Sequence, residues 1–142
     1  MTAATEEQKP NEWTAVKRLH HVNVVVPPGA TERVVGFYVD TLGLRQVAKP
    51  TGGVAQTGAQ SSGAWFDIDD RTQVHVSERD GERHPQSHFG LVVDDFDDML
   101  ARLHDAGAPW EDQPPIFGGR RGFTRDPEGN RVEILEQAGD LA

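Results

Sequence analysis

Two short stretches of the sequence repeat the same pattern, and each begins with a histidine. The first is His21–Val26 (HVNVVV), and the second, 67 positions later, is residues 88–93 (HFGLVV). Runs rich in β-branched and aromatic residues are typical of strands, whose side chains point alternately to the two faces of a sheet. In both predicted strands one face is entirely apolar and suits packing against helices. His21 and His88 begin the opposite face, so the pattern predicts two histidines at equivalent places in a repeated unit.

The same order of elements follows each of these strands. After the first, apolar residues at helical spacing predict a helix over 31–42, with Thr31 as its N-cap and Gly43 as the left-handed residue that ends it. After the second, Asp94 or Asp95 is expected to cap a helix that ends before Gly107. Further strands are predicted at 44–47, 64–68, 73–77, 122–125 and 130–135, with a hairpin turn at 126–129. The chain is therefore predicted to consist of two βαβββ modules, at about 18–80 and 87–137.

The length of 142 residues fits one domain with a sizeable core, predicted at 18–137. Residues 1–17 are polar and acidic and are predicted to form a flexible N-terminal tail, and residues 138–142 a C-terminal tail. The stretch 50–63 is rich in Gly, Gln, Ser and Thr, which indicates a loop where a lid could lie.

Composition narrows the range of partners. The formal net charge is −9, with 23 acidic and 14 basic residues, which argues against nucleic acid or an anionic membrane as the partner and favours a small molecule. The chain has no cysteine, which excludes disulfides, cysteine-ligated zinc, iron–sulfur clusters and thiol nucleophiles. No secretory signal begins the sequence, and no apolar run approaches the ~20 residues that span a bilayer. A cytoplasmic location is expected, which the absence of cysteine fits.

Four residues at equivalent places in the two modules could bind a metal ion. Aligning the last strands at an offset of 58 brings His75 onto Glu133, and both residues lie on the mixed faces of their strands, as do His21 and His88. If the two sheets curve toward each other, all four side chains converge as imidazole and carboxylate donors. The alternatives are that the histidines are packing or hydrogen-bonding residues and that Glu133 forms an ion pair with Arg131 or Arg121.

Other residues are predicted to line a pocket beside these donors. Asn23, Trp65, Gln73 and Arg131 are expected in the substrate pocket. The glycine- and arginine-rich stretch 118–122 could cradle an anion, although such a stretch is more often a solvated turn. Nucleotide-binding loops of the Walker or GxGxxG type, the GxSxG motif of serine hydrolases and the HExxH motif of zinc hydrolases are all absent from the sequence.

Four segments together resemble the vicinal oxygen chelate superfamily, which includes glyoxalase I, extradiol dioxygenases, fosfomycin-resistance enzymes, methylmalonyl-CoA epimerase and bleomycin-binding proteins. They are residues 20–22 (HHV), 37–44 (FYVDTLGL), 88–95 (HFGLVVDD) and 126–133 (DPEGNRVE), and the resemblance covers about residues 18–136. It implies an α+β fold in which two βαβββ modules form a cup-shaped, curved mixed sheet with helices outside, often in a homodimer. It also implies that His21, His88 and Glu133 bind one divalent metal ion.

The sequence departs from glyoxalase I at the fourth candidate ligand, because glyoxalase I has a glutamate where His75 stands. His75 could therefore be a fourth ligand, a base beside the metal or a pocket-lining residue. Zinc, manganese, iron(II) and nickel all suit the donors. The resemblance implies an enzyme that chelates a small oxygenated substrate and moves a proton through Glu133 or His75, as a lyase, isomerase or ring-cleaving dioxygenase. The alternative is a metal-free binding protein of the bleomycin-resistance type.

Overall fold

The computed structural model describes residues 15–50 and 62–139. Most of the predicted lid stretch, most of the predicted N-terminal tail and residues 140–142 of the predicted C-terminal tail lie outside these residues. In the described part the elements in chain order are β1 (His21–Val26), α1 (Thr31–Gly36) continued by a π-helical segment (Phe37–Thr41), β2 (Arg45–Val47), β3 (Ala64–Asp67), β4 (Gln73–Glu78), β5 (His88–Val92), α2 (Phe96–Asp105), β6 (Glu111–Gln113), β7 (Arg121–Arg125) and β8 (Arg131–Leu135).

The strands form two separate four-stranded sheets with the same topology. The first sheet has the order β1-β4-β3-β2 and the second has the order β5-β8-β7-β6. In each sheet the first strand of the module pairs in parallel with its last strand, and the remaining pairs are antiparallel. This arrangement confirms the α+β fold with two βαβββ modules. The sheets do not close into one within the described chain.

The core lies between the sheets and the helices, on the faces that the alternation of side chains predicts to be apolar. Val24 and Val26 of β1, Val74 and Val76 of β4, and Val132 and Ile134 of β8 are all buried there. The fully buried Tyr38 of the first module contacts the second module, because its hydroxyl donates a hydrogen bond of 2.8 Å to Asp126 Oδ2 in the β7–β8 turn. The opposite face of each sheet, which carries His21 in the first and His88 in the second, is called here the open face.

The predicted helix caps are confirmed in part. Gly43 has φ +82° at the end of the first helical segment, and the Asp95 side chain accepts the hydrogen bond from the Asp98 amide at the start of α2. The prediction that Thr31 is the N-cap is wrong. Ala30 occupies the cap position without a side-chain bond, and the Thr31 hydroxyl instead donates to Glu78 Oε2 at 2.6 Å. This contact ties the helix to β4.

None of the helices in the described residues is both long enough and apolar enough to cross a membrane.

Candidate functional site

The four candidate metal ligands lie on the open faces as two equivalent pairs, one in each sheet. His21 is the first residue of β1 and His75 the third residue of the adjacent β4, and their rings stack with centroids 4.0 Å apart. His88 and Glu133 occupy the same places in β5 and β8, and His88 Nε2 lies 3.2 Å from Glu133 Oε1. Within residues 15–50 and 62–139 no three histidine, aspartate or glutamate side chains form a group that could hold a metal ion. Within one chain, the described residues therefore place the candidate ligands in two separate pairs.

His75 is held between two aromatic rings. Trp65 of β3 stacks on one side of it, with parallel planes and centroids 4.0 Å apart, and His21 stacks on the other side. Only 7% of His75 is exposed. Burial, followed by the charges of His21, His20 and Lys49, lowers the pKa of His75 to about 4. His75 is therefore neutral at neutral pH, which is the state that metal coordination requires.

A chain of hydrogen bonds fixes the orientation of the His75 ring. His75 Nε2 lies 2.8 Å from Gln73 Oε1, and Gln73 Nε2 donates to Asp67 Oδ1 at 2.8 Å. Asp67 in turn accepts a 2.6 Å bond from Arg45, and this bond, followed by the one from Gln73, lowers the pKa of Asp67. Because the Gln73 oxygen can only accept, His75 Nε2 carries the proton and Nδ1 carries the lone pair.

The second pair has a fixed orientation as well. His88 Nδ1 lies 3.0 Å from the carbonyl oxygen of Gln86, so Nδ1 carries a proton. In the neutral tautomer the lone pair on His88 Nε2 then faces Glu133 Oε1, and two acceptors lie 3.2 Å apart. A proton or a metal cation shared between these atoms removes the repulsion. A backbone carbonyl that orients the other ring nitrogen is also typical of histidines that bind metals.

Arg121 holds the other oxygen of Glu133. Its Nη1 donates to Glu133 Oε2 at 2.9 Å, and the two side chains are only 14% and 10% exposed. Of the two arginines predicted as possible partners of Glu133, Arg121 forms the ion pair. Arg131 instead lies over the Phe123 ring, 3.5 Å from its centroid, and donates to Gln86 Oε1 at 2.6 Å.

The chemistry of the four donors fits a divalent metal ion, but one chain places only two of them together at a time. Neutral imidazoles and a carboxylate suit zinc, manganese, iron(II) and nickel. Imidazole lone pairs lie in the ring plane, so the nearly parallel rings of His21 and His75, 19° apart, do not direct their lone pairs at one point. A set of three or four donors therefore requires an open face of the first sheet to meet an open face of the second.

The residues predicted to line the substrate pocket all lie on the open faces. Asn23, Trp65 and Gln73 belong to the first sheet, where Asn23 Nδ2 donates to Ser77 Oγ at 2.9 Å. Arg131 belongs to the second sheet, beside His88. In the stretch 118–122 the Arg120 amide binds Glu136 of this chain, so a carboxylate already occupies the predicted anion cradle.

Gln86 was not among the residues predicted for the site. Its backbone carbonyl orients His88 and its side chain binds Arg131. It lies in the linker before β5, where no periodic pattern marks it, and only its position two residues before a candidate ligand could have drawn attention to it.

Comparison with known proteins points to one superfamily. The family model described as Glyoxalase/Bleomycin resistance protein/Dioxygenase superfamily matches residues 18–134. A protein assigned to the glyoxalase family from Bacillus anthracis is 25% identical, with a TM-score of 0.75 over 87% of this chain and 98% of that one.

Two further solved structures share the fold. The oxidase ChaP-H2 is 26% identical, with a TM-score of 0.63 over 89% of this chain and 97% of its own. The antibiotic-binding protein TnmS3 from Streptomyces sp. CB03234 is 22% identical, with a TM-score of 0.63 over 86% and 97% of the two chains. A search of curated proteins finds no match.

Proposed function

Because the chain belongs to the glyoxalase/bleomycin resistance protein/dioxygenase superfamily, we propose that it is a divalent-metal-dependent enzyme acting on a small oxygenated molecule. Two copies of the chain complete its site, with His21 or His75 from one copy and His88 and Glu133 from the other. The observation that carries this proposal is the close approach of His88 Nε2 and Glu133 Oε1, where a lone pair faces a carboxylate across 3.2 Å. Such a pair needs a cation or a proton between its atoms.

The need for a second copy follows from the separation of the two pairs. The open faces carry their donors at equivalent positions, so a homodimer with two-fold symmetry would form two equal sites. Apolar side chains lie close to these faces: Leu19, just before β1, is 62% exposed and Val92 of β5 is 56% exposed. Their burial against a second copy would contribute to the stability of the dimer.

The residues around the site have separate tasks. A bound divalent ion supplies an electrophile that holds and polarises the substrate oxygens. His75 is suited to the ligand role, since its pKa of about 4 keeps it neutral, whereas a general base works best with a pKa near the operating pH. Arg121 binds Glu133 Oε2, so Oε1 is the oxygen of this carboxylate that is left to bind an ion or to accept a proton. Trp65 limits the access of water to His75.

A second candidate function has an observation of its own. The largely buried ion pair between Arg121 and Glu133 already compensates the charge of the carboxylate, so the second sheet can do without a metal ion. This favours a metal-free protein that binds a small molecule between the same open faces, as in the bleomycin-resistance type.

Metal content distinguishes the two functions. Elemental mass spectrometry should be applied to protein purified without chelator or affinity tag, beside the variants His88→Ala and Glu133→Ala. The exposed His104, which is distant in sequence from the candidate ligands, supplies the matched control His104→Ala. The enzyme account predicts about one metal ion per chain in the wild type and the control, and a loss in both site variants. If wild-type protein takes up no metal after incubation with zinc, manganese, nickel or anaerobic iron(II), the metal-free binding protein is the correct account.

A further inference from the structure

A cavity of about 540 Å³ lies between the first strands of the two modules, β1 and β5. We call it the arginine cleft, because three arginines and two histidines line it together with a single carboxylate, that of Glu128. Its charged and imidazole lining residues are Arg83, Arg125, Arg131, His84, His88 and Glu128. Valine residues of β1 and Phe89 of β5 supply its apolar lining.

Carboxylates among the described residues compensate only part of the positive charge in the cleft. Glu128 is engaged by Arg33, which is not a lining residue, at 2.8 Å. Arg131 forms an ion pair with Glu111, at 3.7 Å. Within residues 15–50 and 62–139, neither Arg83 nor Arg125 forms an ion pair with a carboxylate. The cleft is therefore a positively charged region in a chain whose net charge is −9.

Neutral oxygens hold both of these guanidinium groups in place. Arg83 Nη1 donates to the Val25 carbonyl at 2.8 Å and to Asn130 Oδ1 at 3.1 Å. Arg125 donates to the carbonyls of Gly129 and Pro85 at 2.9 and 3.2 Å. These bonds orient the side chains without neutralising their charge and leave the Nε–H group of each arginine without a partner among the described residues.

The strand pairing brings a further positive charge beside Arg125. Arg125 and Arg131 lie directly opposite each other in the β7–β8 ladder, and His88 is the neighbour of Arg131 on the other side. Like charges at directly opposed positions of a sheet are destabilising. An anion between the two guanidinium groups would turn this repulsion into attraction.

We propose that the arginine cleft binds a small molecule through a carboxylate or phosphate group, with Arg83 and Arg125 as the main contacts and Arg131 at the rim. Guanidinium groups bind both oxyanions through paired hydrogen bonds. The volume suits a small molecule, while the acidic net charge opposes a polyanion such as nucleic acid. The cleft shares His88 with the proposed metal site, but its main contacts, Arg83 and Arg125, are not metal ligands, so anion binding is expected in the metal-free protein as well.

Titration calorimetry on chelator-treated protein tests the proposal. The probes are inorganic phosphate, succinate and citrate at constant ionic strength, with neutral succinamide as the negative control, and comparison of phosphate with the carboxylates distinguishes the two groups. The variants are Arg83→Gln and Arg125→Gln, with Arg79→Gln as a matched control. Arg79 lies outside the cleft, and its side chain binds only the Glu78 carbonyl among the described residues. We expect one or more anions to bind, and each cleft variant to weaken binding about tenfold or more while the control does not.

Amide chemical shifts of the wild-type protein provide a readout that does not depend on the folding of a variant. Addition of the bound anion should shift the signals of residues 83–88 and 128–131 most. Absence of binding by all three probes, equal weakening in Arg79→Gln and the cleft variants, or shifts spread evenly over the surface would each overturn the proposal.

Discussion

Removal of the Tyr38 hydroxyl is expected to weaken the contact between the two modules. Tyr38 is fully buried and its hydroxyl donates to Asp126 Oδ2 at 2.8 Å. Hydrogen bonds to charged groups contribute about 1.5–3 kcal/mol. The Asp126 carboxylate keeps its bonds from the Glu128 amide and from the amide and side chain of Asn130, so the loss should lie at the lower end of this range. We expect Tyr38→Phe to lower the free energy of unfolding by about 1.5 kcal/mol, which corresponds to a fall in Tm of roughly 3–6 °C.

Thr124 supplies the matched control, since it is also buried but its hydroxyl lacks a partner among the described residues. Thr124→Val removes an unsatisfied polar atom at nearly constant shape, so the free energy of unfolding should stay the same or rise. Urea denaturation followed by circular dichroism measures both variants. A loss below about 0.5 kcal/mol in Tyr38→Phe, or an equal loss in the two variants, would refute the assignment of a stabilising bond between Tyr38 and Asp126.

Three further predictions concern pH and packing. The pKa of His75 is about 4 in the folded protein and 6.5 in the unfolded chain, so between these pH values only the unfolded state binds the proton. The stability of the metal-free protein should therefore fall as the pH is lowered from about 6.5 toward 4. His75→Asn should reduce this pH dependence, as measured by urea denaturation midpoints. Burial and then Asp126 raise the pKa of Tyr38 above 10, so the unfolded state loses its proton first and stability should fall above about pH 10, but less in Tyr38→Phe. Gly122→Ala should cost about 1–3 kcal/mol in thermal unfolding, because its Cβ would strike the Trp110 ring and lie 2.7 Å from the Glu111 carbonyl, whereas helical Gly36→Ala should be neutral or stabilising.

The faces of the strands could be predicted from the sequence because alternation is a local property. Val24 and Val26 of β1 are buried in the core and His21 lies on the open face. In β5, Leu91 is buried in the core and His88 lies on the open face. Strand β6 was not predicted, because Glu111–Gln113 is entirely polar and has no apolar alternation. Its place in the sheet comes from pairing with β7.

Features that depend on tertiary contacts were not predictable in this way. The Thr31 hydroxyl binds Glu78 of a distant strand instead of capping its own helix. The apolar spacing over 31–42 fits an ordinary α-helix, so it gave no sign of the π-helical turn at Phe37–Thr41. The four candidate ligands lie on the faces of the strands that the alternation predicts. Whether the two pairs come together depends on the relative placement of the two sheets, which cannot be predicted from the pattern within a strand.

Subunit complementation tests the proposed composite metal site most directly. One variant carries His21→Ala and His75→Ala, and the other carries His88→Ala and Glu133→Ala, so neither homodimer retains a complete site. After the two chains are unfolded and refolded together, each mixed dimer regains one intact site, and elemental mass spectrometry should find about a quarter of the wild-type metal per chain. Refolded homodimers of either variant should remain without metal. If the mixture stays as free of metal as the separate variants while wild-type protein binds it, the ligands do not come from two chains and the account is contradicted.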